Sequence, residues 1–189
     1  MRCMTFKIKK LETDKELDNV AALAKEIWTE HYTPLIGPAQ TEYMLRVFQS
    51  PERIKTDIRE RNFSYFAVVS EDSEEQIAYL ALQPDERGVF ISKIYVKKEF
   101  RRLGIAKMLI RFSLDFAKEE IKSPNSVFDA SKNTRPCLWL TVNKGNSGPI
   151  EFYKKEGFVI DNEAVTDIGH DFYMNDYIMT LYFDDEKEC

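Results

Sequence analysis

Histidine is scarce in this chain of 189 residues, with His31 and His170 its only two, and cysteine is limited to Cys3, Cys137 and Cys189. An odd number of cysteines without any Cys-x-x-Cys spacing fits reduced thiols and argues against a disulfide framework or a zinc ribbon. So few imidazoles predict no protein-ligated metal centre. A basic excess is missing as well: the net charge of −5 argues against nucleic acid as a partner, because binding phosphate backbones needs a basic face. No apolar run approaches the roughly 18 to 20 residues of a membrane span. The leading residues MRCMTFKIKK contain no signal-peptide core, so a cytoplasmic protein with no membrane partner is expected.

What is present suffices for a real core, with 43% apolar residues and thirteen Phe, and one domain spanning residues 1–189 is expected. Thr5 to Leu11 alternates as a first strand. Thr13-x-x-Glu16 has capping-box spacing, and Leu17, Val20, Ala21, Leu23, Ala24, Ile27 and Trp28 form the apolar stripe of the helix it opens. That helix is expected to end near Tyr32, because Pro34 disfavours helical geometry at Thr33. Short helices over Ala39 to Phe48 and Pro51 to Arg61 follow, the second with proline in its first turn.

Ser64 to Ser70 and Gln76 to Gln83 read as a hairpin around an acidic turn, and a third strand runs from Gly88 to Val96. Lys122 to Pro136 reads as a long polar loop. Leu138 to Val142 has the composition of a strand buried on both sides. A turn over Asn143 to Pro149 then leads to a helix over Ile150 to Glu156, closed by Gly157. Phe158 to Asp161 and Met174 to Phe183 are the last expected strands, with a loop over Asn162 to Tyr173 between them and a frayed acidic tail after them.

The chain is organised around Ile91 to Glu120. Strand content up to Val96 gives way, after Gly104, to helical periodicity through Ile105, Met108, Leu109 and Phe112. The turn between them holds Arg101 and Arg102, has Lys97 and Lys98 close by, and ends in small residues where the helix begins. The first N–H groups of a helix have no intrahelical partner, the helix dipole adds positive potential, and small residues let an anion approach the backbone. The turn therefore reads as a pyrophosphate cradle. Arg101-x-x-Gly104-x-Ala106, in this strand-turn-helix context, resembles the signature of the GNAT superfamily of N-acetyltransferases.

A second motif, Asn143-x-x-Asn146 followed by Phe152-Tyr153-x-x-x-Gly157-Phe158, resembles another block of the same superfamily. The resemblance covers the chain from about Ser64 onward. Ile27-Trp28-x-Glu30-His31-Tyr32-x-Pro34 and Ile168-Gly169-x-x-Phe172-x-Met174-x-Asp176-Tyr177 add a likeness to bacterial PaiA-type polyamine N-acetyltransferases. It implies an α/β (α+β) fold, with a mixed, mostly antiparallel sheet of about seven strands and helices on both faces. Acceptor-side helices would span about 13–61 and an acetyl-CoA core about 64–183.

The resemblance also implies roles. Arg101, Arg102, Leu103, Gly104, Ile105, Ala106 and Lys107 would hold the pyrophosphate of acetyl-CoA. Backbone groups of Ile94, Tyr95 and Val96 would hold the pantetheine arm and polarise the thioester carbonyl. In the family the arm enters where the strand ending at Val96 splays from the strand ending at Val142. Asn143 and Asn146 would contact the cofactor, and the Tyr153 hydroxyl would protonate the departing thiolate. The plainer role for a helix tyrosine beside Phe152 is core packing.

An alkylamine with a pKa of about 10.4 must lose a proton at a cost of about 4 to 5 kcal/mol at pH 7 before it can attack. Relatives carry a Glu early in the strand before the cradle, but here Val89-Phe90-Ile91-Ser92-Lys93 has no carboxylate. Glu30, His31 and Tyr32, at the end of the first helix, are the acceptor-side candidates, and His170 is another candidate base. The implied activity is acetyl transfer from acetyl-CoA to a primary amine, a polyamine or other small amine, by direct attack in a ternary complex, with the protein a monomer or homodimer. A protein N-terminus or lysine as acceptor, and a CoA-binding regulatory module without turnover, are the alternatives.

Overall fold

The computed structural model describes residues 5–71, 73–129 and 135–183. Cys3, Cys189, the acidic tail and residues 130–134 of the polar loop lie outside the described residues. The elements are β1 (Phe6–Lys10), α1 (Asp14–Ile36), α2 (Pro38–Phe48), α3 (Pro51–Glu60), β2 (Ser64–Ser70), β3 (Gln76–Asp85) and β4 (Gly88–Val96), then α4 (Ile105–Lys122), β5 (Cys137–Asn143), α5 (Ser147–Lys155), β6 (Val159–Gly169) and β7 (Phe172–Tyr182). The seven strands form one sheet in the order β1-β2-β3-β4-β5-β7-β6. The β4/β5 pair is parallel, while β1/β2, β2/β3, β5/β7 and β6/β7 are antiparallel. This is the expected mixed, mostly antiparallel α+β sheet. The chain divides into two compact units, Met1–Leu82 with Lys93–Leu109 and Gln83–Ser92 with Ile110–Cys189.

In the first unit α1 starts where its sequence says. The Thr13 hydroxyl accepts from Glu16 N while the Glu16 carboxylate accepts from Thr13 N at 3.0 Å, so each satisfies a donor the helix start leaves open. The whole expected stripe from Leu17 to Trp28 is buried, each large aliphatic contributing about 1.5 to 3 kcal/mol. The expected end near Tyr32 is overturned: the helix carries Pro34 inside and runs to Ile36, stopping at Gly37 with φ +84°. The preference of a residue before proline for extended backbone is worth less here than completing the last turn, in which Gly37 N donates to Thr33 O at 3.1 Å. In α3, Ser50 caps the first turn ahead of Pro51, and Ile54 and Asp57 face inward.

In the second unit Gly88 is required by proximity. A Cβ there would sit 2.2 Å from Cys137 O, and its φ of +136° suits only glycine. The parallel ladder pairs Gly88 through Ile91 with Cys137 through Leu140 and ends there, while β4 runs on to Val96 and β5 to Asn143. Burial in β5 alternates, which corrects the expectation of a strand buried on both sides. Trp139 stays half-buried on one face, its ring tilted against Phe90 at 4.2 Å, covered by Arg87 at 4.9 Å and donating to Asp85 at 2.9 Å. The expected loop over Asn162 to Tyr173 is also corrected: those residues extend β6 and β7 into one long antiparallel hairpin that turns at His170 and Asp171, both at positive φ. Its strands carry few buried residues, which removes the apolar alternation that a sequence reading depends on.

Candidate active site

The strand, turn and helix expected around Arg101 to Gly104 are all present. After Val96 a short 3-10 turn over Lys98–Phe100 closes with Arg101 N donating to Lys98 O at 3.2 Å, and the Arg101 side chain donates from Nε to Val96 O at 3.0 Å. Arg101 thus locks the turn to the strand end. Arg102 and Gly104 both adopt positive φ, +64° and +81°, which swings the chain into α4. A helical bond from Met108 N to Gly104 O at 2.9 Å opens α4, and the first N–H groups of a helix point forward of it rather than back along it. Arg102, Leu103, Gly104 and Lys107 are exposed. A Cβ on Gly104 would meet nothing within 4 Å, which leaves the backbone open to close approach by an anion.

The two neighbouring lysines, Lys97 and Lys98, are both held by carboxylates. Lys97 Nζ is held by Glu75 at 3.0 Å, Glu99 at 3.2 Å and Glu26 at 3.4 Å, and the bond from Glu75 raises its pKa. Lys98 pairs with Glu30. Positive charge free of these carboxylates comes from the exposed Arg102 and from the helix start itself.

The acceptor-side candidates His31 and Tyr32 come together with Tyr95 in this unit. Tyr32 lies 4.3 Å from Trp28 and 6.3 Å from Tyr95, His31 stands edge-on to Tyr32 at 4.8 Å, and Tyr95 stacks on Tyr79 at 5.2 Å. Beneath them Trp28 Nε1 donates to the Tyr79 hydroxyl at 3.2 Å, and that hydroxyl donates to Gln49 at 3.4 Å. Burial pushes the Tyr79 hydroxyl pKa well up, so Tyr79 is a neutral support for the aromatic wall. Glu30, through its pair with Lys98, ties the end of α1 to the turn that precedes the cradle.

Sequence reasoning missed a buried charge cluster. Asp57, 1% exposed, accepts from Arg53 Nε at 2.6 Å, Arg61 Nη1 at 2.8 Å and the Tyr65 hydroxyl at 3.2 Å, with Lys93 Nζ at 3.7 Å. Burial lowers the Lys93 pKa to about 8, against the attraction of Asp57. The signal was Arg53-x-x-x-Asp57-x-x-x-Arg61, a carboxylate with a guanidinium one turn away on either side. Lys93 could not be read as its partner because that contact is long-range.

In the second unit the second motif forms a strand-turn-helix. Asn143 Oδ1 accepts from Gly145 N at 2.9 Å, and Asn146 N donates to Asn143 O at 2.8 Å. Asn146 is buried at the N-cap of α5 without a side-chain capping bond. Tyr153, 7% exposed, lies 5.5 Å from Phe152 and 5.6 Å from Phe158, so its ring packs whatever its hydroxyl does. His170 sits exposed at the hairpin tip. Asp176 on β7 stands directly across from Asn143 and is 4% exposed; burial raises its carboxyl pKa to about 6. The sequence showed it only as one letter of a motif.

No helix among the described residues is long and apolar enough to cross a membrane. Residues 62–160 match the family described as Acetyltransferase (GNAT) domain. An N-acetyltransferase of Lactobacillus delbrueckii subsp. lactis, encoded in the pepI 3' region and itself uncharacterised, is 24% identical over 168 residues, covering 84% of this chain and 88% of the relative. Among solved structures, PaiA N-acetyltransferase from Thermoplasma acidophilum in complex with coenzyme A superposes with a TM-score of 0.72 at 21% identity, over 95% of this chain and 100% of that one. Spermidine N-acetyltransferase from Vibrio cholerae in complex with CoA and spermine gives 0.60 at 16% identity, over 94% and 95%. The motif-bearing half of the chain, the sheet order and these likenesses agree: the chain belongs to the GNAT acetyltransferases, enzymes that use acetyl-CoA as acetyl donor.

Proposed function

We propose that this enzyme acetylates a small primary amine, a polyamine or a related alkylamine, by direct attack on acetyl-CoA within a ternary complex. The observation that carries the reading is the turn from Arg101 to Gly104, which opens straight into the start of α4 with nothing over the Gly104 backbone. These features fit a pyrophosphate, which needs backbone donors it can approach closely. Acetyl-CoA supplies the thioester. The cradle residues Arg101 to Lys107 bind the pyrophosphate, and backbone groups of Ile94, Tyr95 and Val96 hold the pantetheine arm.

Asn143 and Asn146 add cofactor contacts, and Tyr153 gives its hydroxyl proton to the departing thiolate. For the acceptor, the aromatic group of Tyr32, Trp28 and Tyr95 suits an organic cation, which aromatic faces attract. Likeness to PaiA and to a spermidine N-acetyltransferase points the same way. A cytoplasmic site of action fits a co-substrate of this kind. The test is thiol release from acetyl-CoA across a panel of amines and peptides, with the acetylated product identified by mass. Preference for peptides over small amines would assign a protein acceptor, and tight acetyl-CoA binding without thiol release from any acceptor would assign a regulatory module.

A further inference from the structure

We propose that Asp176 is the base that takes the proton from the acceptor ammonium, an inference that rests on the amine acetyltransferase reading above. Its place in the sheet makes the case. Asp176 is paired with Asn143 on β5 and with Ala164 on β6, so it lies one strand away from the asparagine that the second motif assigns to the site. Directly opposed residues of an antiparallel pair point to one face with Cβ atoms about 5 Å apart. The neighbours on that face are Thr141 and Asn143 of β5, Asn162, Ala164 and Thr166 of β6, and Met174 and Ile178 of β7, none of them titratable. Farther along it, Asp161 is already held by Arg87 at 3.1 Å and Thr180 at 3.2 Å. The nearby Lys144, Glu163 and Tyr177 belong to the opposite face, where Lys144 pairs with Glu163 and lies 5.3 Å over the Tyr177 ring.

Asp176 itself is 4% exposed and has no hydrogen-bonding or ionic partner among the described residues. The contrast with Asp57, equally buried and bonded to two arginines and a tyrosine, is direct. A buried carboxylate without a cation is costly, and that cost is met at sites where a ligand brings the cation. A protonated amine is the cation this reaction supplies, and burial alone raises the carboxyl pKa to about 6, close to the operating pH a base requires.

The proton balance closes. An ammonium N–H breaks and its proton goes to the Asp176 carboxylate, freeing the nitrogen lone pair to bond the thioester carbon. The carbon–sulfur bond then breaks, and the thiolate takes the Tyr153 hydroxyl proton. Tyr153 is restored by a second proton from the nitrogen, and Asp176 returns its own to water.

The test compares wild type with Asp176→Asn on two acceptors at pH 7.5: a simple alkylamine, which is protonated there, and trifluoroethylamine, which is not. The expected result is a loss of about 100-fold or more in kcat/KM on the alkylamine, disappearance of the acidic limb of its pH profile, a deficit several-fold smaller on trifluoroethylamine, and unchanged acetyl-CoA affinity. Full activity of the variant on the alkylamine would overturn the proposal. So would an equal loss on both acceptors with acetyl-CoA affinity intact, because a structural defect does not depend on the acceptor's protonation. A wild type that binds acetyl-CoA and acetylates neither amine would overturn the amine reading and this proposal together, which separates it from failure of the variant arm.

Discussion

Lys93 Nζ lies 3.7 Å from Asp57 Oδ2, and both side chains are buried, at 6% and 1% exposure. The strand that runs into the cradle thus carries an ammonium at the position after Ser92, and α3 supplies its counter-charge. Two arginines already bond the same carboxylate, so the cluster has more cations than it needs.

That surplus makes the two substitutions unequal. Asp57→Ala leaves Lys93 buried without its carboxylate and is expected to cost about 3 to 5 kcal/mol in urea unfolding. Lys93→Met removes a desolvated charge while Asp57 keeps Arg53 and Arg61, and is expected to be neutral or stabilising at pH 7. The pH dependence has a definite sign. Lys93 titrates at about 8 when folded, below its ordinary 10.5, so between those values the unfolded chain binds more protons. Stability therefore rises with pH from about 8 toward 10.5 in the wild type, and the Lys93→Met protein lacks this contribution.

The cradle separates backbone from charge. Gly104 has open space but a φ of +81°, so Gly104→Ala is expected to cost about 1 kcal/mol in stability and to weaken acetyl-CoA binding by about tenfold through the obstructed backbone. Arg102→Gly relieves a positive φ of +64° and is expected to keep or raise stability while weakening acetyl-CoA binding, more at low salt than at high salt. Calorimetric titration with acetyl-CoA at two ionic strengths checks both.

Asp176 also predicts a stability effect that needs no substrate. Its folded pKa of about 6 lies above its ordinary 3.8, so between those values the folded chain binds more protons and stability falls as pH rises. At neutral pH Asp176→Asn is expected to be more stable than wild type by about 1 to 2 kcal/mol, allowing for residual solvent screening. The advantage should vanish by pH 4, as thermal unfolding at a series of pH values would show.

Local signals were legible in the sequence and long-range ones were not. The Thr13 cap, the α1 stripe and the turn from Arg101 to Gly104 depend on neighbours within a few residues, and each stands where its spacing put it, whereas α5 opens at Ser147, three residues before the expected Ile150. Pro34 misled because a local preference was weighed without the tertiary packing that holds α1 together. The β6 and β7 hairpin was hidden because its strands are largely exposed and lack alternation. Asp57 with Lys93, and Asp176 with Asn143, are pairings made by the fold across 36 and 33 residues of sequence. The ties from Lys97 to Glu26, Glu75 and Glu99 are long-range or side-chain contacts that its position beside the turn did not reveal.

Acetyl transfer itself is tested most directly by incubating the protein with acetyl-CoA and spermidine, following thiol release and the mass of the product, for wild type beside Tyr153→Phe. The account predicts monoacetylated spermidine in amounts equal to the thiol released, and a fall in kcat of about 100-fold in the variant with acetyl-CoA affinity preserved. Thiol release matching wild type in Tyr153→Phe, or no acetylated amine from a wild type that binds acetyl-CoA, would contradict it.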